Sequence, residues 1–546
     1  MQVDLRYVGH SEVRSDTSGT SVRFAPNLAR PKVFFDAQVS NPIRFREGMS
    51  ALHEVVVGDL RARPKDRSAW LEWKKQQADE EVKLRQQVYD EKRATEVARI
   101  GMDGPPPDLQ VRFHEMHRLY WGARIQWANE LARHDPELFR HLVPCDPVVT
   151  VAPDVVFFEC FAKDESSYAS LVVDRGAFKS DGNAAAGTTN VDYSLSLYEH
   201  FQTLRTYRPT RLLVDPTGFE VKVEGRADYR EEKIDLPPSW LRGFGQIGAA
   251  MGLPSRRVTL TVAAVYSILA YLKRHREKTG PRSLRFRFTP GKPVTVIVDP
   301  WGVEIPCSDK PYDGDRNDEI KVWGRRRLMS LARVLPLADR VDVALLGSGL
   351  PSIWIAFLGE MRLTLALSGW TANDWTAGTN LDLLTGNYRS DARVVEAISD
   401  YLRDAKRASL GALEQIADAQ RDLVLGSLHQ LAKQGQLVYD FATNAYRWRQ
   451  VMPVALSEAV LGPENAELTE ARRAWREGRV KIAREESLAN GRRLIAGTVE
   501  NTTCESLLDA DERFTKAKCT CRYFFKNNLR GGPCRHLLAL RMAPRR

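Results

Sequence analysis

The spacing of apolar residues changes period several times along the chain, and each change predicts a different kind of element. Residues 1 to about 60 mix short strand-like runs with polar loops; Val33-Phe-Phe-Asp-Ala-Gln-Val39 is the clearest. From 68 to 100, Lys, Arg, Glu and Gln dominate, with Leu71, Val82, Leu84 and Val88 at helical intervals. That pattern predicts one long, solvated helix. Gly101-Met-Asp-Gly-Pro-Pro-Pro-Asp108 breaks it, and a second helix, rich in Trp and Tyr, is expected over about 109–133. From about 150 strands and helices alternate. Residues 155–161 and 168–173 read as paired strands. The apolar run 343–359 is interrupted by Gly347-Ser-Gly-Leu-Pro351, which fits strand–turn–helix better than a membrane span.

A duplication lies within this alternating part. Val214-Asp-Pro-Thr-Gly-Phe-Glu-Val221 recurs 84 residues later as Val298-Asp-Pro-Trp-Gly-Val-Glu-Ile305. Trp240 recurs as Trp323, and Arg257-Val-Thr-Leu-Thr-Val262 as Arg340-Val-Asp-Val-Ala-Leu345, each 83 residues on. Two units, 210–290 and 294–369, are each expected to run hairpin, helix, strand, helix, strand, within a tandem α/β repeat body at 150–370. The N-terminal region, 1–149, carries the charged helices.

A Gly/Asn/Thr/Trp-rich connection over 371–387 marks the next boundary. Three helices are expected at 393–404, 410–417 and 422–434, then two strands, 435–440 and 445–449. Their order resembles a winged helix-turn-helix, placed at 388–450. Nine basic and eight acidic residues between Arg389 and Gln450 argue against simple operator binding. The candidate recognition helix offers Arg421, His429, Gln430 and Lys433, opposed by Asp422, and a protein-docking role is equally open. A linker with a charged helix, 451–485, leads into the last stretch.

That stretch carries the chemistry. Cys519-Thr-Cys521 and Cys534-Arg-His536 are two tight pairs separated by twelve residues. Each pair has the short bite that delivers two ligands to one ion. Gly531-Gly532-Pro533 turns the chain into a short helix at Leu537. Cys3His is a closed, tetrahedral structural zinc set with no position left for a substrate. Cys504, fifteen residues upstream, reads as a buried free thiol or a spare ligand.

The pattern Cys-x-Cys…Cys-x-His resembles the SWIM-type zinc finger, over about the last 60 residues (486–546). The resemblance implies a small ββα module holding one structural Zn2+ on Cys519, Cys521, Cys534 and His536, in DNA-binding or protein-binding roles. Bacterial members can accompany ATPase partners, and this chain shows no phosphate-binding loop of its own. The fold class expected is multidomain α/β (α+β): the repeat body, a winged-helix-like module and the zinc module.

Composition is that of a soluble globular protein, 43% hydrophobic and 27% charged. Seven cysteines, three of them in the motif, argue for a reducing, cytoplasmic setting and against a disulfide framework. No secretory or membrane segment is visible, so no membrane partner is expected. The net charge is +10, and all of it sits at the end of the chain. Residues 513–546 hold ten Lys or Arg and no acid; the other 512 residues hold 70 of each sign. The cations interleave with the ligands and with Tyr523-Phe524-Phe525. This favours an anionic partner, either nucleic acid bound without sequence preference or an acidic protein surface. The expected contacts are Arg522, Tyr523, Phe524, Lys526, Arg530 and Arg535, with one ring under the zinc site and another stacked on a base.

Other motifs carry less. His114-Glu-Met-His117 falls one residue short of a zinc-protease helix. Gly243-Phe-Gly245-Gln-Ile-Gly248 lacks the preceding strand and following acid of a dinucleotide site, and reads as a packing feature. Asp215, Glu220 and Lys222 allow a metal-dependent nuclease as the least favoured reading, since the duplicate copy lacks the Lys. The favoured reading is a non-enzymatic, nucleic-acid-binding zinc protein, and the alternative is an adaptor in a bacterial multiprotein system.

Overall fold

The computed structural model describes residues 11–16, 19–23, 33–57, 147–162, 165–179, 184–190, 198, 201–207, 209–215, 218–222, 229–231, 238–277, 282–369, 375, 381–384, 390–451, 466–488 and 491–543, with short helical pieces between 87 and 123. The chain divides into two units: Asp59–Pro144, and the two flanking stretches Met1–Gly58 and Cys145–Arg546 together. In the first unit the described pieces are helical apart from Asp108, and exposed, as their charge pattern predicts. His114 and His117 lie outside the described residues.

In the larger unit a hairpin of two short strands, Ser11–Asp16 and Gly19–Arg23, precedes strand β1 (Phe35–Val39) and helix α1 (Pro42–Val57). Then follow β2 (Val148–Val151), β3 (Val155–Phe161), β4 (Ser167–Asp174), β5 (Gly187–Asn190), β6 (Thr210–Asp215), β7 (Gly218–Lys222) and α2 (Pro238–Met251). Next come β8 (Arg256–Leu260), α3 (Val262–Arg274), β9 (Leu284–Phe288), β10 (Pro293–Val298), β11 (Val303–Pro311) and β12 (Asp318–Val322). A 3-10 segment, Arg325–Arg333, precedes β13 (Arg340–Leu345), β14 (Ser352–Leu358) and β15 (Met361–Leu367).

The longest sheet has the order β8-β13-β14-β15-β4-β3-β2-β5, antiparallel throughout. Its middle strands are buried at nearly every position. A strand covered on both faces needs no polar alternation, which is why these segments read as continuous Val, Leu, Ile and Phe. Beside it lie a four-stranded sheet, β11-β10-β9-β12, another built around β6 and β1, and a three-stranded sheet in which Ser11–Asp16 pairs with both Gly19–Arg23 and Tyr229–Glu231.

Both Val-Asp-Pro-x-Gly segments join adjacent antiparallel strands, β6 to β7 and β10 to β11. The matched tryptophans sit differently: Trp240 lies inside α2, and Trp323 lies two residues before the 3-10 segment. The likeness ends after β8 and β13. Thr261 caps α3 by accepting a hydrogen bond from the Ala264 N–H, whereas β13 turns through Gly347 and Gly349 into another strand. The helix expected after Pro351 is therefore β14. Its Ile-Trp-Ile-Ala-Phe-Leu run is buried on both faces between β13 and β15, and a uniformly apolar run has no period to tell strand from helix.

Helices α4 (Ala392–Ala405), α5 (Leu410–Ala417) and α6 (Arg421–Lys433) come next, then β16 (Leu437–Asp440) and β17 (Ala445–Trp448). Asp391 caps α4 and Ser409 caps α5. These elements enclose their own apolar cluster, including Val394, Ile398, Leu402, Leu413, Val424 and Leu428. They are tied to the large sheet by buried ion pairs. Arg447 donates both Nη groups to Asp154 at 3.0 Å, and Arg449 donates to Glu159 at 2.9 Å with both side chains fully buried.

The glycines of 243–248 lie inside α2. A Cβ on Gly245 would stand 3.0 Å from the Lys433 carbonyl, and one on Gly248 would stand 3.1 Å from the Ala432 Cβ. One on Gly243 would meet the Phe161 ring at 2.9 Å. The motif is a close-packing device that seats α2 against α6 and β3.

The C-terminal part contains α7 (Ala466–Arg476), β18 (Val480–Ser487), β19 (Arg493–Val499), β20 (Thr502–Leu508), β21 (Phe514–Cys519), α8 (Arg522–Asn527) and α9 (Arg535–Arg541). The implied ββα module is corrected to a four-stranded antiparallel meander, β18 to β21, with two short helices. Strand β18 carries Arg484, Glu485 and Glu486 on a half-exposed edge, so its composition imitated the charged helix before it.

Candidate metal centre and its surroundings

Each ligand sits where an element begins or ends. Cys519 is the last residue of β21. Cys521 caps α8, its Sγ accepting from the Phe524 N–H at 3.3 Å. Gly532, at φ 90°, takes a backbone conformation that suits glycine and sets up Cys534, which caps α9. His536 follows in the first turn, only 5% exposed. Helix α9 is held by Leu537, Leu538 and Leu540, all fully buried. The stretch between the ligand pairs is mostly helical: α8, then the 3-10 turn Asn528–Gly531.

The four donor atoms lie within 4.8 Å of one another. Zinc–sulfur bonds of about 2.3 Å set the edge of a tetrahedral thiolate site at about 3.8 Å. The Cys519 Sγ to His536 Nδ1 distance is 3.8 Å. Nδ1 therefore faces the thiols. Nε2 faces the carboxylate of Glu500 at 3.9 Å, an outer partner of the kind that orients metal-bound histidines. Glu500 and Asn501 have φ of 49° and 67°, the paired left-handed conformation of a tight β19–β20 hairpin turn.

The thiols compete for negative charge. Hydrogen bonding from Cys534, against the opposing effect of burial, brings Cys519 down to about 4. Cys534 is driven strongly up, first by sharing its proton with Cys519 and then by burial. Burial pushes Cys521 up against the Phe524 N–H bond. A dication at the centre lets all three ionise, which is the chemistry of a closed zinc set. The donor set fits one structural Zn2+. It was legible from spacing alone; Glu500 was not, because a hairpin register brings it in.

Cys504 stands outside the ligand set. It is 2% exposed, and burial, followed by the charge of Cys519 and Cys521, pushes its thiol up to about 12.

The cations of 513–546 divide on folding. Arg513 is committed to Asp509, Asp511 and the Gly252 carbonyl. Arg541 is buried, donates to the Leu383 carbonyl and lies 4.6 Å over the Phe514 ring. Lys518 is opposite Glu505 in register, Lys516 is 4.0 Å from Asp318, and the Arg535 guanidinium is 4.0 Å from Glu500. The stretch free of acids in sequence is thus not free of them in space.

Of the expected contact residues, Phe524 is withdrawn, because it is 7% exposed and part of the apolar core. Tyr523 is half-buried against that core. Phe525 is 91% exposed. Arg522 and Lys526 are exposed and Arg535 is partly committed to Glu500; the Arg530 side chain lies outside the described set. Of the candidate recognition helix, Arg421 is held by Asp511 and Glu414, and Gly245 and Gly248 of α2 lie against α6 at Lys433 and Ala432. On the β6–β7 hairpin, the register places positions 215, 220 and 222 on one face. Among the described residues, the Cys3His set is the one metal-type cluster, and no helix is long and apolar enough to cross a membrane.

Residues 505–540 match the SWIM zinc finger family. No curated protein matches the chain significantly. Among solved structures, the chain is similar to proliferating cellular nuclear antigen from Entamoeba histolytica, at 16% identity over 42% of this chain and 90% of that one, with a TM-score of 0.30. The C-terminal region of FEN-1 bound to A. fulgidus PCNA gives 13% identity, 43% and 92% coverage, and 0.32. PCNA from Thermococcus kodakaraensis gives 14%, 41% and 89%, and 0.29.

Proposed function

We propose that this chain is a non-catalytic zinc protein whose C-terminal module binds nucleic acid without strong sequence preference. One observation carries the reading. Arg522, Phe525 and Lys526 occupy positions i, i+3 and i+4 of α8, all three are exposed, and the ring between the cations is 91% open. Cys521 caps that helix, so zinc fixes the direction of the face. Cations beside an open ring suit a backbone phosphate and an unpaired base, and base–aromatic stacking contributes about 1–3 kcal/mol. Phosphate contacts position a strand without reading its sequence. The module at 388–450 is read as winged-helix-like and as scaffold, because contacts with α2 and Asp511 occupy its candidate recognition helix.

The test is titration of fluorescent single- and double-stranded oligonucleotides at several salt concentrations. Arg522→Gln with Lys526→Gln should flatten the log–log salt slope by about 0.7 for each phosphate of a single strand that is no longer neutralised. Phe525→Ala should weaken single strands more than duplex. Absence of binding at low salt overturns the reading in favour of the adaptor, for which the acids set beside Lys518 and Arg535 speak. Metal-dependent cleavage of DNA or RNA would favour the nuclease instead.

A further inference from the structure

We infer that Cys504 and Cys519 form an oxidative cross-link site, in which a hydroperoxide converts the zinc ligand Cys519 into half of a cross-strand disulfide and releases the metal. The inference rests on the Cys3His set and is independent of the nucleic-acid reading.

The geometry comes from the β20–β21 ladder. Cys504 is directly opposite Cys519. The neighbouring pair, Thr503 and Thr520, is joined by a hydrogen bond from the Thr520 N–H to the Thr503 carbonyl at 3.1 Å. Hydrogen-bonded and non-hydrogen-bonded pairs alternate along an antiparallel ladder, so Cys504 and Cys519 form a non-hydrogen-bonded pair. Such pairs have Cα atoms about 4.5 Å apart, with side chains on one face. That spacing falls inside the range a disulfide bridges, about 4.4–6.8 Å.

Both sulfurs also flank one residue. The Cys504 Sγ lies 3.9 Å from the His536 carbonyl, and the Cys519 Sγ lies 3.8 Å from the His536 Nδ1. Cys519 is half-exposed and can meet a small oxidant; Cys504 is buried and meets only what forms beside it. This is the arrangement of an attacked and a resolving thiol.

The chemistry balances. The Cys519 thiolate attacks one oxygen of the hydroperoxide, the O–O bond breaks, and with one proton taken up, water or an alcohol leaves. Sulfur is oxidised by two electrons to the sulfenic acid. The Cys504 thiol then attacks that sulfur. The S–S bond forms, the S–O bond breaks, and the hydroxyl departs as water with the thiol proton. Cys521, Cys534 and His536 would remain, and three ligands would hold zinc far more weakly than four. A dithiol reductant and fresh zinc reverse the sequence. The plain alternative is that Cys504 is a small buried apolar residue, a role alanine would fill equally well.

The experiment treats zinc-loaded full-length protein with hydrogen peroxide beside a chromogenic chelator, then maps disulfides by non-reducing peptide mass spectrometry. The expected result is zinc release with a 504–519 disulfide, and recovery of zinc content after dithiothreitol and added zinc. Cys504→Ala should lose that recovery, because Cys519 proceeds to sulfinic acid. A disulfide between two ligand cysteines with Cys504 still a free thiol overturns the inference. So does equal recovery in the wild type and Cys504→Ala. If the variant fails to bind zinc, the wild-type peptide map alone decides.

Discussion

The carboxylate of Glu500 stands 3.9 Å from Nε2 of His536, across the ring from the nitrogen that faces the thiols. A carboxylate on the Nε2 side favours the tautomer that leaves Nδ1 unprotonated for the metal. Outer-shell partners of this kind are worth about 10–100-fold in affinity. Glu500→Gln keeps the shape and the turn but removes the charge. Zinc affinity, measured by competition with a chelator, should fall within that range while the far-ultraviolet spectrum of the zinc-loaded protein stays unchanged. Glu500 also pairs with Arg479 and lies beside Arg535, so unaltered affinity would mean that the carboxylate serves only those two cations.

The three glycines of α2 and Gly411 of α5 make an internal comparison. Gly245→Ala would push a methyl to 3.0 Å from a backbone carbonyl that cannot swing aside. Overpacking of this kind costs about 1–3 kcal/mol. A Cβ on Gly411 meets nothing within 4 Å. There Ala should stabilise by roughly 0.5–1 kcal/mol through helix propensity. Chemical denaturation should give opposite signs for the two variants, and a shared sign would remove the close-packing account.

The acid limb of stability should run through Arg447. Burial alone would raise Asp154 and Asp440. Hydrogen bonding and charge from Arg447 outweigh this at Asp154, and the charges of Arg362 and Arg447 do so at Asp440, so both carboxyls titrate below their ordinary value. A depressed carboxyl stabilises the fold fully above its unfolded pKa of about 3.9, and that contribution disappears as pH falls through the folded values. Melting temperature should therefore be insensitive to these groups near neutrality and drop below about pH 4. Asp440→Asn should flatten the drop. It should also cost about 1–3 kcal/mol at pH 7, because Arg362 and Arg447, both nearly buried, each lose one of two carboxylate partners and keep only Asp174 and Asp154. An acid limb unchanged in the variant would assign it to other groups.

What the sequence disclosed follows the range of the interactions. The zinc ligands fall within eighteen residues and obey a spacing rule, so they were readable. The hairpins after Val214 and Val298 were readable from Asp-Pro-x-Gly. Strand β14 was not, because full burial erases the alternation that marks a strand. Strand β18 was not, because its exposed edge carries Arg and Glu like the helix before it. The occupation of α6 depends on α2, about 180 residues upstream, and the meeting of Cys504 with Cys519 depends on a register that spacing does not reveal. Tyr523-Phe524-Phe525 announced an aromatic contact, but which ring turns outward depends on the phase of α8, set by Cys521 as its cap.

That phase yields the sharpest contrast in the module. Phe524 is 7% exposed and joins the core with Leu529, Leu537 and Leu540, while Phe525, one residue later, is 91% exposed. A step of about 100° separates consecutive residues on a helix, so one ring faces the core and the next the solvent. Phe524→Ala should cost about 3–5 kcal/mol, in line with truncation of a buried aromatic side chain. In a module this small it should also loosen zinc, visible as faster transfer to a chelator. Phe525→Ala should leave stability within about 0.5 kcal/mol of the wild type, as surface substitutions do. It should leave zinc transfer unchanged as well. An exposed aromatic ring that contributes nothing to the fold is available for stacking, so the same variant should lose oligonucleotide affinity by about 1–3 kcal/mol. Full retention of stability, zinc and oligonucleotide binding in Phe525→Ala would remove the ring from the interface and leave the cations of α8 to act alone. Destabilisation equal to that of Phe524→Ala would instead mean that the ring is covered in the folded protein, and the exposed face of α8 would have to be redrawn.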